Sequence, residues 1–197
     1  DESVLEKEVE YWRQQLTGVS DLELPTQKIR PPERSGLGGD VHFTIGAALT
    51  QKIKKLGQEQ GATLFMVLLA SFKVLLHRYS GSNDICVGSP IAGRTRAELE
   101  NLIGFFVNTL ALRTHCEGDA SYIELLQQVR DTSLAAYAHQ NVPFERLVDE
   151  LVGRRDMSYT PLFQVMFAMQ NTPVIRSNES AGTSGLLGNG PLNNAPL

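Results

Sequence analysis

Residues 63–94, TLFMVLLASFKVLLHRYSGSNDICVGSPIAGR, contain an apolar segment of helical length followed closely by a short apolar strand. Thr63 can cap a helix that runs from Leu64 to Tyr79 and ends before Gly81. This helix is apolar on most sides, so we expect it to be buried. Ile85 to Val87 then form a strand candidate. A buried helix beside a buried strand is typical of helices packed on a sheet.

The rest of the chain mixes predicted helices with short, buried strands. The connections vary too much for uniform strand–helix–strand units, so we predict an α/β fold with a mixed sheet and helices packed on it. The further predicted helices are residues 1–16, a helix capped by Thr50 and ending by Gly61, a helix behind a Ser121–Glu124 capping box, and a helix starting at Pro143. In the first of these, Leu5, Val9, Trp12 and Leu16 lie on one face. The further predicted strands are Val41–Ile45, Val107–Arg113 and Leu162–Ala168.

Length and composition limit the architecture. The chain has 197 residues, of which 42% are hydrophobic and 20% charged, and this composition suits one large folded domain. From Thr172 onward the last 26 residues contain no aromatic side chain, and 14 of them are Gly, Pro, Asn or Ser. We therefore predict a domain over residues 1–172 and a flexible tail or interdomain linker over residues 173–197.

Charge and cysteine content exclude several classes of function. The net charge is −4, whereas a nucleic-acid-binding protein normally carries a basic excess. No apolar run approaches the ~20 residues of a membrane span, so no membrane association is expected. Two cysteines, Cys86 and Cys116, cannot build a disulfide framework, which favours a cytoplasmic location. The chain starts without Met, and we expect it to be a piece of a longer protein.

The histidines do not indicate a metal site. None of the four forms an i, i+4 pair, neither cysteine belongs to a CxxC motif, and no metal is expected. His139, beside Gln140 and close to Glu145, has two interpretations. It could be a general base, or it could be a histidine at a helix C-terminus, and the spacing favours the structural interpretation.

Two segments are unusual for a purely structural domain. In residues 87–94, VGSPIAGR, two glycines and a proline bracket a strand end, where backbone can approach a ligand closely. In residues 103–113, IGFFVNTLALR, the polar pair Asn108 and Thr109 interrupts an apolar strand and must find partners. The structural interpretation is a turn and a satisfied strand asparagine. The functional interpretation is a channel wall that offers an amide and a hydroxyl to a substrate.

Four ordered segments carry a resemblance to a known family. They are GSPIAGR, IGFFVNTLALR, HQNVPFERLVDEL and RRDMSYTPLFQVMFAMQN, which start at residues 88, 103, 139 and 154. Together they resemble the C-terminal half of a condensation domain from a nonribosomal peptide synthetase. The opening YWRQQL and the later LELPTQKIRPP resemble the same family, so the match extends from residue 1 to about residue 172.

The resemblance implies a fold and a reaction. Condensation domains have two chloramphenicol-acetyltransferase-like lobes, and the active site lies in the cleft between them. The acceptor amine attacks the donor thioester and forms an amide bond. The partners implied are the N-terminal lobe, the donor and acceptor peptidyl carrier proteins with their phosphopantetheine arms, and an adjacent adenylation domain. No cofactor is expected to bind this lobe directly.

The family's catalytic signature, HHxxxDG, belongs to the N-terminal lobe. This sequence has no adjacent pair of histidines, so no catalytic residue is assigned, and we expect the chain alone to be inactive. It would instead be part of an acyltransferase and contribute the cleft wall and tunnels. Two alternatives are a lobe of an epimerisation or heterocyclisation domain and a non-catalytic platform for docking carrier proteins.

The resemblance also implies roles for individual residues. The substrate and pantetheine channel would be lined from two strand ends. Two arginines of the same motifs would support the cleft, and one of them would pair with the Asp of the absent HHxxxDG. The channel residues are Gly88, Ser89, Pro90, Asn108 and Thr109, the supporting residues are Arg94 (the pairing arginine) and Arg113, and the structural ones are Phe144, Glu145, Arg155, Asp156 and Ser158.

Overall fold

A computed structural model of the 197-residue chain describes residues 2–26, 38–93, 98, 102–104, 106–152 and 160–170. The sequence predictions for Arg94, Arg155, Asp156 and Ser158 fall outside these described residues. The same holds for the expected tail, so the domain boundary after residue 172 stays a prediction.

Five helices and two strands follow one another in the described residues, which confirms the α/β fold. In chain order they are α1 (Glu2–Leu16), α2 (Ala47–Glu59), α3 (Leu64–Ser80), β1 (Asp84–Ile91), β2 (Asn108–His115), α4 (Tyr122–Ala138) and α5 (Phe144–Leu151).

The caps of α3 and α4 confirm the sequence prediction. The Thr63 hydroxyl accepts a hydrogen bond from the backbone N–H of Met66 at 3.3 Å, and Gly81 ends α3 with a left-handed φ of 70°. At α4, the Ser121 hydroxyl accepts from the backbone N–H of Glu124 at 3.3 Å, and the Glu124 carboxylate accepts from the Ser121 N–H at 2.7 Å. These capping bonds are local in sequence, so the sequence alone identifies them.

The start of α2 was predicted wrongly. The helix begins at Ala47 with Gly46 at its N-cap, not after Thr50. Thr50 lies one turn inside the helix, where its buried hydroxyl donates to the Gly46 carbonyl at 3.1 Å. The hydroxyl is therefore bonded to a backbone carbonyl one turn earlier, which is how a threonine inside a helix can satisfy its side chain.

The two strands form a mixed sheet with a third, shorter segment. β1 and β2 are antiparallel, with Asp84 opposite His115 and Ile91 opposite Asn108. On the other edge of β1, Gly88 forms a parallel bridge with Met166. The Gly88 N–H donates to the Val165 carbonyl at 3.0 Å, and the Gly88 carbonyl accepts from the Phe167 N–H at 2.8 Å. β1 is therefore the central strand, and the strand predicted over Leu162–Ala168 is reduced to a single bridge.

Helices cover both faces of the sheet. Side chains alternate along a strand, so Thr114 and Arg113 point to opposite faces. Lys73 of α3 reaches Thr114, whereas Arg113 reaches the end of α1. Helices α3 and α4 pack together on the first face, and α1 and α5 on the second. The largest fully buried apolar side chains between these layers are Trp12, Leu16, Leu22, Leu69, Ile85, Leu110, Leu112, Leu126 and Leu147.

The strand predicted at Val41–Ile45 is not formed. Val41 and Phe43 are 90% and 83% exposed, and the described residues provide no strand partner for this segment. Alternation of apolar and polar residues predicts a strand only where a neighbour completes the ladder.

Over the described ranges no single helix is long and apolar enough to cross a membrane, and only α2 and α3 taken together, bent by 105° between them, meet that length and composition.

Candidate functional site

The predicted channel residues lie at one end of the β1–β2 pair. Pro90 is opposite Thr109, and Ile91 is opposite Asn108. The antiparallel register therefore brings the two sequence motifs into contact at the strand ends. It also divides the five residues between faces: Ser89 and Asn108 share the face towards α3 and α4, and Gly88, Pro90 and Thr109 share the other.

The channel residues differ in accessibility. Ser89 is only 4% exposed, and Gly88 is buried. Pro90 is exposed, and Asn108 and Thr109 are half-buried. A molecule that approaches this end of the sheet would therefore meet the cross-strand pair Pro90 and Thr109 first.

Gly88 is required by packing within the chain. A Cβ atom at this position would lie 2.5 Å from Cζ of Phe163, far inside normal contact. The Phe163 ring also packs against Phe144 of α5, with ring centroids 5.3 Å apart. The close approach expected at this glycine is thus made by an aromatic ring of the same chain.

The Asn108 amide is fully engaged by the α4–α5 loop. Its Nδ2 donates to the carbonyls of Gln140 at 2.9 Å and Val142 at 2.8 Å. Its Oδ1 accepts from the backbone N–H groups of Thr109 at 2.9 Å and Phe144 at 3.1 Å. This is the arrangement of a satisfied strand asparagine, and it joins the 103–113 motif to the 139–151 motif.

His139 ends α4. It is the C-cap residue of that helix, and its carbonyl accepts a hydrogen bond from Nε1 of Trp12 at 2.8 Å. Its ring stacks on Tyr11 of α1, with centroids 4.1 Å apart. Nδ1 is buried and makes no hydrogen bond within the described part of the chain. These contacts support the structural interpretation of His139 over the general-base one.

Arg113 lies at the opposite end of β2 from Asn108. Its guanidinium forms two 2.8 Å hydrogen bonds with the Asp84 carboxylate. It also donates to the carbonyls of Gln15 at 3.1 Å, Thr17 at 2.9 Å and Gly18 at 3.2 Å. A cation here satisfies the unpaired carbonyls at the C-terminus of α1. In the structure Arg113 therefore fixes α1 to the sheet.

The electrostatics of this ion pair follow from its surroundings. Burial acts to raise the pKa of Asp84, but hydrogen bonds from Arg113 and from the Ser20 N–H outweigh it and leave that pKa below its ordinary value. The bond to Asp84 raises the pKa of Arg113 in turn. Both groups are charged in any neutral solution.

Lys73 of α3 is a buried charged residue that the sequence analysis does not single out. Its side chain is 0% exposed. Nζ donates to the Ile85 carbonyl at 3.3 Å, the Leu112 carbonyl at 2.7 Å and the Thr114 hydroxyl at 2.7 Å. Burial lowers the pKa of Lys73 to about 8. The sequence signal for a buried lysine was its position between Phe72 and Val74 in an otherwise apolar helical segment.

The described residues contain no group of three or more His, Cys, Asp or Glu side chains that could hold a metal ion. Both cysteines are buried, and burial raises the pKa of Cys86 to about 12. A thiol with so high a pKa is not a nucleophile at neutral pH.

The family of the chain follows from its sequence over nearly its whole length. Residues 2–191 match the family model of the condensation domain, so the chain belongs to the condensation-domain family. The match extends past residue 172, where the sequence composition changes.

Relatives and solved structures agree with this assignment. The chain is 52% identical over 172 residues to one of the linear gramicidin synthase proteins of Brevibacillus parabrevis, covering 87% of this chain and 3% of that protein. It matches a four-domain nonribosomal peptide synthetase with a TM-score of 0.80 and 27% identity, over 84% of this chain and 13% of that one. It matches the X-domain of teicoplanin biosynthesis, solved in complex with OxyB, with a TM-score of 0.78 and 26% identity, over 82% of this chain and 36% of that one. The chain thus spans a small part of each.

Proposed function

We propose that this chain is the C-terminal lobe of a nonribosomal peptide synthetase condensation domain, and that it supplies one wall of the cleft where an amide bond forms. The observation that carries the proposal is the family match over residues 2–191 in a sequence with no adjacent histidine pair. The general base or positioning histidine of the reaction then comes from the N-terminal lobe.

The wall of the cleft is formed by the strand ends that carry the channel residues. Pro90 and Thr109 are a cross-strand pair at that end, and both are accessible. Gly88 and Ser89 are the buried residues that precede Pro90 in β1, and Asn108 holds the α4–α5 loop beside them. Thr109 is the side chain best able to contact a pantetheine arm, because its hydroxyl both donates and accepts hydrogen bonds.

The partners follow from the same proposal. Donor and acceptor carrier proteins deliver thioesters on phosphopantetheine arms, an adenylation domain lies next to this domain, and the assembly is cytoplasmic. This lobe contributes chiefly by orienting the reactants, since holding the amine and the thioester in the reactive geometry lowers the activation barrier by about 7–11 kcal/mol.

A reconstitution experiment tests the proposal. The chain is mixed with donor- and acceptor-loaded carrier proteins, either alone or with a separately produced N-terminal lobe that carries HHxxxDG, and dipeptide is followed by mass spectrometry. We expect product only when both lobes are present, because a general base or positioning group contributes about 10²–10⁴-fold in rate. Turnover by the chain alone would contradict the assignment of the catalytic group to the other lobe.

A second candidate function is a non-catalytic docking platform. It is favoured by one observation, the similarity to the X-domain of teicoplanin biosynthesis, which was solved as a complex with OxyB. If both lobes together form no dipeptide while the chain still binds a carrier protein in calorimetry, the platform is the better description.

A further inference from the structure

Two buried side-chain polar atoms have no hydrogen-bond partner in the described part of the chain. They are Oε2 of Glu8 in α1 and Nδ1 of His139 at the C-terminus of α4. A buried polar atom without a partner is costly, so such atoms in folded proteins are normally bonded to another group or to an ordered water. These two atoms therefore indicate a contact that the described protein atoms do not supply by themselves.

Glu8 and His139 belong to the same part of the molecule. Since a helix turns by about 100° per residue, Glu8 lies between Tyr11 and Trp12 around α1, about 60° from the first and about 40° from the second. His139 contacts both of these residues: its ring stacks on Tyr11 at 4.1 Å, and its carbonyl accepts from Nε1 of Trp12 at 2.8 Å. Helical side chains lean towards the N-terminus, so Tyr11 and Trp12 cover the turn that carries Glu8. His139 is thereby placed over that turn as well.

A water molecule suits this pair of atoms. An ionised carboxylate only accepts hydrogen bonds, whereas Nδ1 of a histidine donates in one tautomer and accepts in the other. One water can donate to Glu8 and either accept from Nδ1 or donate to it, so the bridge forms with both tautomers. The His139 carbonyl has a second lone pair besides the one that Trp12 uses, and it provides a third partner for the same water.

We propose that one buried water molecule joins Glu8 to His139 and so fastens α1 to the end of α4. The next residue, Gln140, has its carbonyl bonded to Nδ2 of Asn108 at 2.9 Å. The α4–α5 loop is then held from two sides, by Asn108 on the sheet and by the water bridge on α1. Glu8 thus acts on a loop that lies more than a hundred residues further along the chain.

A crystal structure of the full 197-residue chain, at a resolution that shows ordered water, tests the bridge directly. We expect one water at hydrogen-bonding distance from both Oε2 of Glu8 and Nδ1 of His139. The proposal is overturned if the two atoms bond each other directly, if each has a different partner, or if no water is found between them.

A double-mutant cycle measures the coupling between the two side chains in solution. Glu8→Met keeps the length of the side chain, and His139→Phe keeps a ring to stack on Tyr11. Each single variant leaves the other polar atom without its bridge, so we expect each to lower the equilibrium constant for folding by about tenfold. The double variant should lower it by at least about fivefold less than the product of the two. Glu6→Met, at an exposed position of α1, is the control and should combine with His139→Phe without coupling. Effects of Glu8→Met and His139→Phe that simply multiply would overturn the proposal.

If His139→Phe shows no cooperative unfolding transition, Glu8→Gln decides the question. Glutamine keeps the length of the side chain and an oxygen that accepts from the water, so it should preserve the bridge. Hydrogen exchange of the Asn141 and Val142 amides should accelerate by about tenfold in Glu8→Met but by less than about threefold in Glu8→Gln. Equal exchange in the two variants would overturn the proposal. Because these measurements concern the isolated chain, their failure leaves the proposed part in amide-bond formation untouched.

Discussion

The side-chain oxygen of Asn108 accepts a hydrogen bond from the backbone N–H of Phe144 at 3.1 Å, so the first residue of β2 caps the first residue of α5. Pro143, at the N-cap of α5, provides no side-chain acceptor of its own. The acceptor comes from 36 residues earlier in the chain. The amide that the functional interpretation offers to a substrate thus has a structural task at the same site.

Replacement of Asn108 should loosen the α4–α5 loop. Asn108→Ala leaves the Phe144 N–H and two loop carbonyls without their partner, and we expect it to lower the free energy of unfolding by about 1–3 kcal/mol. Asn108→Asp should be at least as harmful, because a carboxylate would face the carbonyls of Gln140 and Val142. Urea unfolding and hydrogen exchange of residues 139–144 measure both effects, and Asn141→Ala, at an exposed loop position, is the control.

The same variant tests the channel in a complete two-lobed enzyme. If Asn108 also contacts substrate, Asn108→Ala should lower kcat/KM by a further factor equivalent to about 0.5–1.5 kcal/mol after correction for folded protein. Loss of activity only in proportion to loss of folded protein would limit Asn108 to its structural task.

Gly88→Ala should destabilise the chain by about 1–3 kcal/mol, since the added methyl group would overlap the Phe163 ring that Phe144 holds in place. Thermal unfolding measures the loss. Gly118→Ala is the matched control, because a Cβ at that position meets nothing within 4 Å. If Gly88→Ala unfolds like the control, the ring moves aside freely and the packing argument fails.

Stability should rise with pH through the titration of Lys73. The unfolded chain holds this proton up to the ordinary pKa of 10.5, whereas the folded chain releases it near pH 8. Between these values the unfolded state binds more protons, so the free energy of unfolding increases as pH rises, by at most about 3 kcal/mol in total. Below pH 8 Lys73 is protonated in both the folded and the unfolded chain, so its titration does not change the free energy of unfolding there.

The cysteines act in the opposite direction. Burial raises the pKa of Cys86 and Cys116 in the folded chain, so the free energy of unfolding falls as pH rises above their ordinary pKa of 9. The quantity to measure is therefore the difference between the original chain and Lys73→Met in urea unfolding from pH 7 to 10.5. A difference that stays constant with pH would show that Lys73 keeps its ordinary pKa.

Arg113→Lys should release the C-terminus of α1. A lysine cannot reproduce the paired bonds to Asp84 together with three carbonyl contacts, and we expect a loss of about 1–3 kcal/mol. Faster hydrogen exchange in the last turn of α1 would locate the effect. Arg130→Lys, at a partly exposed arginine that bonds the Gly61 carbonyl and the Asp131 carboxylate, should change stability by less than about 0.5 kcal/mol. Equal effects of the two substitutions would remove the special role of Arg113.

The parts of the fold that were predictable from sequence depend on neighbours in sequence. The Thr63 and Ser121 caps act over three residues, and the periodicity of α1 and α3 is visible in the sequence itself. The environment of Lys73 was not predictable, because its acceptors lie 12, 39 and 41 residues away along the chain. The partners of Asn108 in the α4–α5 loop were not predictable for the same reason, because they lie 32, 34 and 36 residues away along the chain. For the segment Val41–Ile45 the alternating pattern is present, but the predicted strand is not formed among the described residues, because no local rule can supply its partner.

The contact between Gly88 and Phe163 has a consequence for recombining condensation domains. Any joint placed between these two positions takes the glycine from one parent and the aromatic ring from the other. A chimera avoids the overlap only if the first parent has glycine at position 88, or the second has a smaller side chain at position 163. Crossover points outside residues 88–163 inherit both from one parent, and they are the safer places to exchange sequence between members of the family.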